Sequence, residues 1–245
     1  MKTLVVIPTF NEADNIEGMI RSVFAVIPSS GELHILVVDD NSPDHTARVV
    51  KNLMLKPFPK TLFLLSREAK QGLGTAYIEG FQWGLSRGYD LFVEMDADFS
   101  HNPKYLPAMI EQAHKYDVVI GSRYIAEGGV KGWGWLRRCI SMAGSLYARL
   151  ILCLPIHDFT GGFNLWKRAV LTHLDLNHIR SEGYAFQIEL KYKAVSSGFS
   201  YVEYPILFED RRAGTSKMSK RIIVEAIVRV IQMKRYGNRH TRPSM

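Results

Sequence analysis

Asp96-Ala97-Asp98 carries the clearest chemistry in this chain. Two carboxylates one residue apart can hold a hard divalent cation through oxygen, and a cation held by only one or two carboxylates keeps positions open for substrate phosphates. The pair ends the apolar run Leu91-Phe92-Val93-Glu94-Met95, where a buried strand emerges. Ligands in open α/β sheets bind at such carboxyl ends. Two earlier strand ends also carry carboxylates: Glu12, closing Pro8-Thr9-Phe10-Asn11-Glu12, and Asp39, opening Asp39-Asp40-Asn41-Ser42-Pro43-Asp44. Acceptors there can read a base edge and ribose hydroxyls. Neither a P-loop nor a dinucleotide fingerprint is present, since Gly72-Leu73-Gly74 lacks the following glycine. The residues therefore predict a nucleotide site without a glycine cradle, its diphosphate held by a metal on Asp96 and Asp98 and by the loop cations Arg123, Arg211 and Lys217.

The elements that must position these residues alternate. Leu4–Ile7 reads as a strand, and Ile16, Met19, Ile20 and Val23 then recur at helical spacing, with Asp14 or Asn15 as N-cap. Ile35–Val38 is a second strand, and Ser42-Pro43 starts a helix through Val50 and Leu53. Thr61–Leu65, a helix after Gly72-Leu73-Gly74-Thr75-Ala76, the strand ending at Asp96, and Val118-Val119-Ile120 continue the alternation. Strands and helices in this order imply an α/β fold, a mostly parallel sheet with helices on both faces and right-handed crossovers.

Beyond Gly121-Ser122-Arg123-Tyr124 the regularity fails. Residues 128–135 read as a mobile glycine-rich loop carrying Trp133 and Trp135, and residues 139–157 as one or two amphipathic helices. Asp158–Phe163 is a loop, a helix opens at Tyr184, and Tyr201-Val202 with Pro205–Phe208 reads as one edge strand because of its proline. Met218 to Tyr236 is predicted as a helix with a broad apolar face, suited to packing on the body, to a membrane interface, or to docking a membrane partner. Residues 1–217 thus form the main α/β body, with an irregular loop at about 124–140, and 218–245 a basic amphipathic helix and tail.

Composition narrows the classes. With 245 residues, 47% hydrophobic, the chain can bury a full core. Cys139 and Cys153 give no disulfide framework and no metal-ligand spacing, so both read as core sulfur in a reducing setting. The start reads as a strand with no signal peptide, and no apolar run reaches transmembrane length. The net charge of +7 is uneven: residues 211–245 hold ten Lys/Arg against the single acid Glu225. Such a tail points to an anionic partner: lipid headgroups, nucleic acid or a phosphorylated substrate.

Taken together and in order, Pro8–Glu12, Val37–Asp44, Gly72–Ala76, Asp96-Ala97-Asp98-Phe99-Ser100-His101, Gly121–Tyr124 and Asp158–Phe163 resemble the family 2 glycosyltransferases, in particular the dolichyl-phosphate or polyprenyl-phosphate mannose synthases. The resemblance covers residues 3 to 220 and implies a GT-A fold, a Rossmann-like nucleotide-diphospho-sugar transferase. It implies transfer of mannose from GDP-mannose to a lipid phosphate with inversion, on Mg2+ or Mn2+. By matching position, Pro8, Phe10, Glu12, Val37 and Asp39 would hold the nucleoside; Asp96, Ala97 and Asp98 the metal and diphosphate; and Arg123, Arg211 and Lys217 phosphate oxygens. Arg123, Arg137 and Ser141 would hold the acceptor phosphate, and His101 is structural. The expected location is the cytoplasmic face of a membrane, peripheral, through lipid or a small membrane-protein partner, with no nucleic acid bound. Phe10 stands where tyrosine is frequent, His45 where glycine is usual, and Asn164 where arginine is frequent. Another hexose from a different nucleotide sugar, or a non-catalytic nucleotide-binding role, uses the same residues.

Overall fold

A computed structural model describes residues 1–26, 32–179, 181, 183–210 and 220–237. The chain runs β1 (Thr3–Thr9), α1 (Ala13–Val26), β2 (Leu33–Asp39), α2 (Thr46–Leu55), β3 (Leu62–Ser66), α3 (Leu73–Leu85), β4 (Leu91–Glu94), α4 (Leu106–Gln112) and β5 (Val118–Ser122). It continues through β6 (Gly129–Lys131), α5 (Trp135–Leu152), β7 (Asn164–Lys167), α6 (Arg168–His173), α7 (Gly183–Ser196), β8 (Tyr201–Pro205), β9 (Leu207–Glu209) and α8 (Lys220–Gly237). The main sheet has seven strands in the order β3-β2-β1-β4-β7-β5-β8, and β6 pairs with β9 in a second, two-stranded sheet. Among the described strands of the main sheet only β7 runs against its neighbours, antiparallel to both β4 and β5.

The continuous apolar runs resolve into two faces because side chains alternate along a strand. Val5, Ile7, Ile35, Val37 and Val93 pack with Ile16, Met19, Val50 and Leu106 of α1, α2 and α4. Leu4, Val6, Leu36, Val38 and Phe92 pack on the other side with Tyr77, Phe81, Ala148, Phe186 and Val230 of α3, α5, α7 and α8. A Cβ on Gly80 or Gly84 would lie 2.5 Å from Val6 or Phe92, so these glycines let α3 lie close on β1 and β4. Thr9 stands beside Asp39 and Asp39 beside Ser66 in the parallel ladders. One rim therefore collects the ends of β1 and β2, and the β4 end joins it.

Several local expectations give way to contacts from distant loops. α1 starts at Ala13, so Asp14 and Asn15 lie inside its first turn; the Ala13 N–H is capped by Asp44 Oδ2 at 2.9 Å, from the β2 loop. α2 starts at Thr46, not at Ser42-Pro43. The Ser42 hydroxyl is bound to Asp39 (2.6 Å), and Asp44 Oδ1 accepts from the Thr46 N–H (3.0 Å). His45 turns the chain there with φ +69°, the left-handed region that favours glycine. The glycine-rich loop is not free: Gly129–Lys131 is strand β6, paired with β9. The single edge strand predicted over Tyr201–Phe208 is two strands in two sheets. β8 edges the main sheet, and after Pro205 the chain crosses to β6, with Ile206 buried at the crossing.

β7 was not anticipated, because only Leu165 and Trp166 of its four residues are apolar. Residues 135–152 form one helix that starts earlier than expected. Cys139 and Cys153 are exposed rather than core, since the outer side of α5 is uncovered. α8 packs on α5 and α7; Val230 is buried, the Tyr147 hydroxyl donates to the Ile227 carbonyl at 3.1 Å, and Lys234 Nζ to the Leu152 carbonyl at 3.5 Å. Among the described residues no helix is long and apolar enough to cross a membrane.

Candidate active site

The β4 loop is shaped by its own polar atoms. The Asp96 N–H donates to His101 Nδ1 at 3.0 Å, and the buried imidazole stacks on Phe163 with centroids 5.1 Å apart. Burial lowers the His101 pKa against the pull of Asp96 and Asp98, so the ring is neutral with its proton on Nε2. His101 thus folds the loop back. Asp98 is buried, and its Oδ1 accepts from the Ser100 N–H (3.1 Å) and hydroxyl (2.6 Å), while Phe99 takes φ +66°. The Asp96 carboxylate is more open and lies 3.4 Å from the buried Tyr77 hydroxyl. Ala97 packs into the core. Among the described residues no group of three or more His, Cys, Asp or Glu is arranged to hold a metal ion. An oxygen-only pair fits Mg2+ or Mn2+, which would complete its shell with phosphate oxygens and water.

At the β1 and β2 ends, Asp39 Oδ1 accepts from the hydroxyls of Thr9 (2.8 Å) and Ser42 (2.6 Å), and Oδ2 from the Ser42 N–H (3.0 Å). Glu12 Oε2 accepts from the Asn15 amide at 2.8 Å. Lys70 Nζ lies 4.3 Å over the Phe10 ring. Pro8, Phe10, Glu12 and Asp39 therefore share one rim. Val37 does not join them: its side chain is fully buried in the core. A residue the motifs did not single out, Arg67, is buried at the end of β3; it pairs with Asp40 Oδ1 (2.9 Å) and donates to the Thr75 hydroxyl (2.7 Å). Burial raises the Asp40 pKa, and Arg67 opposes that shift.

Arg123, Arg137 and Ser141 come together at the end of β5 and on α5. The buried Arg123 grips Asp158 twice, Nε to Oδ2 at 2.7 Å and Nη2 to Oδ1 at 2.8 Å, and donates to the Thr160 hydroxyl at 2.9 Å. Burial alone would raise the Asp158 carboxyl; the Arg123 charge and its hydrogen bonds prevail and hold it down at about 2. The Arg123 and Arg137 guanidiniums lie 5.5 and 4.1 Å from the Trp133 ring. Arg137 Nη1 bonds Asp210 Oδ1 at 2.9 Å, and the Ser141 hydroxyl accepts from Tyr124 at 2.7 Å. Behind them a cavity of about 350 Å3 opens between α5, α7 and α8. Trp133, Ile140, Tyr147, Ile188, Ile227 and Val230 line it, with Arg137, Ser141 and Thr160 as polar atoms in the wall. Arg211 and Lys217 lie outside the described residues.

The pattern defining Glycosyl transferase family 2 matches residues 4–174. The chain belongs to that family. It is 44% identical over 232 residues to the polyprenol monophosphomannose synthase of Mycolicibacterium smegmatis, covering 94% of this chain and 86% of that protein. To the undecaprenyl-phosphate mannosyltransferase of Micrococcus luteus it is 42% identical over 230 residues, 94% and 93% of the two chains. In fold it is similar to glucosyl-3-phosphoglycerate synthase from Mycobacterium tuberculosis, in a crystal structure with Mn2+, uridine diphosphate and phosphoglyceric acid. That match has a TM-score of 0.66 at 18% identity, over 99% of this chain and 80% of the other. The mostly parallel sheet with helices on both faces is the GT-A arrangement.

In this family 2 glycosyltransferase the site rests on buried charges that local patterns did not reveal. Lys191 of α7, fully buried, donates to the carbonyls of Asp158 (2.9 Å), Phe159 (3.2 Å) and Gly161 (2.7 Å), and so fixes the loop that holds Arg123. Glu203 of β8 accepts from the Asp158 N–H at 2.9 Å and the Ser122 hydroxyl at 2.7 Å. Asn164 of β7 bonds Glu94 Oε2 at 2.6 Å and Gln187 Oε1 at 2.8 Å. Burial pushes the Glu94 carboxyl up to about 7 and draws the Lys191 ammonium down to about 8. The available signal was a charged side chain inside an apolar stretch, as in Leu190-Lys191-Tyr192 and Val93-Glu94-Met95.

Proposed function

We propose that this glycosyltransferase moves mannose from GDP-mannose to the phosphate of a polyprenyl or dolichyl lipid, with inversion at the anomeric carbon, at the cytoplasmic face of a membrane. The observation that carries the reading is the apolar cavity with Arg137 and Ser141 in its wall; its Trp133 meets Phe208, which meets His101 of the Asp96–Asp98 loop. An apolar volume next to guanidinium suits an isoprenoid tail attached to a phosphate. The names of the two curated relatives supply the acceptor class and the sugar.

In this reading the nucleoside lies along Pro8, Phe10, Glu12 and Asp39. Asp96 and Asp98, beside the backbone of Ala97, would hold Mg2+ or Mn2+, whose positive charge would offset that of the departing nucleoside diphosphate. Arg211 and Lys217 assist there. Arg137 and Ser141 seat the acceptor phosphate, and Arg123, held by Asp158, lends its charge to the same region. The acceptor needs no base: a phosphomonoester has its second pKa at about 6 and is mostly dianionic near neutrality. The chain's task is alignment of two anions that repel each other.

Residues 1–217 act as the catalytic domain and 218–245 as a basic appendage to it. The exposed apolar side chains of α5, Trp135 at 77% and Leu150 at 67%, stand near Arg138 and Arg149 and suit a lipid interface, met directly or through a small membrane protein. Incubation with a panel of radiolabelled nucleotide sugars and polyprenyl phosphate tests the reading, with and without a chelator. Organic-soluble label from GDP-mannose alone, lost on chelation, is expected. Label from UDP-glucose instead would replace the sugar assignment, and no lipid label from any donor would end it.

A further inference from the structure

The Arg137 guanidinium, which the proposed function gives to the acceptor phosphate, already holds an anion of the chain itself. Its Nη1 is 2.9 Å from Asp210 Oδ1, with the two side chains 24% and 40% exposed. Among the described residues, buried Arg137 Nε has no hydrogen-bond partner, and neither has Trp133 Nε1 beside it. The carboxylate thus uses one edge of the guanidinium and leaves a donor unmet, although a planar guanidinium offers two parallel bonds to an oxyanion.

The backbone around Asp210 is firmly set. Its N–H donates to the Lys131 carbonyl at 3.0 Å, prolonging the β6–β9 ladder. Gly132 takes φ +85° opposite it, where a Cβ would come within 3.0 Å of Asp210 Cβ. Rotation about the Asp210 side chain can vacate Arg137 without moving this backbone, and a partly exposed ion pair costs little to open.

We propose that Asp210 is a specificity-determining residue of the acceptor site: its carboxylate occupies Arg137 before the acceptor arrives, and an incoming phosphomonoester dianion displaces it by engaging more than one donor. A phosphate has three terminal oxygens and close to two charges near neutrality, against one charge for the carboxylate, so the exchange favours a phosphomonoester and discriminates against singly charged lipids. This rests on the assignment of Arg137 to the acceptor.

The test is calorimetric titration of the full chain with farnesyl phosphate, farnesol, inorganic phosphate and GDP, for the wild type, Asp210→Asn, Asp210→Ser, Arg137→Ala and the Asp210→Asn/Arg137→Ala double variant. Both Asp210 variants keep the backbone bond to Lys131, and melting curves confirm that they fold. Loss of a competing, partly exposed carboxylate should tighten farnesyl phosphate about two- to fivefold, leave farnesol and GDP unchanged, and lose its effect once Arg137 is alanine. Equal tightening of inorganic phosphate would show that the headgroup alone is sensed; tightening confined to farnesyl phosphate would show that headgroup and tail act together, and either result supports the exchange. Unchanged or weaker farnesyl phosphate binding in both Asp210 variants overturns it. So does a gain that persists without Arg137, or one that extends to GDP. Turnover is measured separately, so absence of mannosyl transfer would count against the proposed reaction while binding still decides the role of Asp210.

Discussion

Asp98 and Asp158 are both buried carboxylates near the rim, yet their partners give them different consequences. Asp98 accepts from the Ser100 N–H and hydroxyl, and an amide oxygen can accept from the same groups. Asp98→Asn should therefore melt within a few degrees of wild type while turnover falls at least about a hundredfold, the scale of losing one electrostatic stabiliser at a reacting centre. Wild-type kcat in that variant would remove the metal role. Asp158 instead neutralises the buried Arg123. Asp158→Asn leaves that charge uncompensated and should cost about 3–5 kcal/mol of stability in urea denaturation. The pH dependence follows from the sign of each shift. The Asp158 carboxyl is depressed from 3.8 to about 2, so its stabilisation is present above the ordinary value and is lost as pH falls through that interval. Glu94 is the reverse case, raised from 4.5 to about 7, so the native state holds the proton more tightly and stability declines as pH rises across that window. Urea midpoints at pH 5, 6 and 7 should fall less steeply in Glu94→Gln than in wild type; parallel slopes would refute the buried-acid assignment.

Among the elements, α5 does the most varied work. Its N-terminal end carries Arg137 and Ser141, its inner side closes the cavity, and Ala148 and Leu152 anchor it in the core. Gly144 lies mid-helix on the cavity wall, where an added Cβ would meet the Thr160 methyl at 3.8 Å, an ordinary contact. Gly144→Ala should stabilise the chain by up to about 1 kcal/mol through helix propensity, read as a higher melting temperature. Gly144→Leu fills the volume and should raise the KM for polyprenyl phosphate about tenfold or more, with the KM for GDP-mannose unchanged; equal effects on both substrates would separate the cavity from the acceptor. α7 supports the same region from below, since Lys191 alone ties three carbonyls of the Asp158–Gly161 loop.

Over the whole molecule, exposed large apolar side chains gather on two neighbouring helices, Trp135, Leu146 and Leu150 on α5 and Ile227, Val228 and Ile231 on α8. Leu146→Glu with Leu150→Glu should lower sedimentation with anionic vesicles several-fold without changing the melting temperature; undiminished sedimentation would place the lipid contact elsewhere. The sequence by itself determined the order of strands and helices, the parallel sheet, the rim with Glu12, Asp39 and Asp96, and the family, because these depend on periodicity and on residues adjacent in the chain. Tertiary structure alone decided the rest. It capped α1 with Asp44, slid β7 between β4 and β5, took the Val37 side chain away from the crevice, and turned a loop at Gly129 into a strand. It also joined Arg123 to Asp158 across 35 residues and Arg137 to Asp210 across 73. No local pattern encodes such pairs: a buried charge takes whichever counter-charge the packing brings within hydrogen-bond reach, and packing is a property of the assembled core.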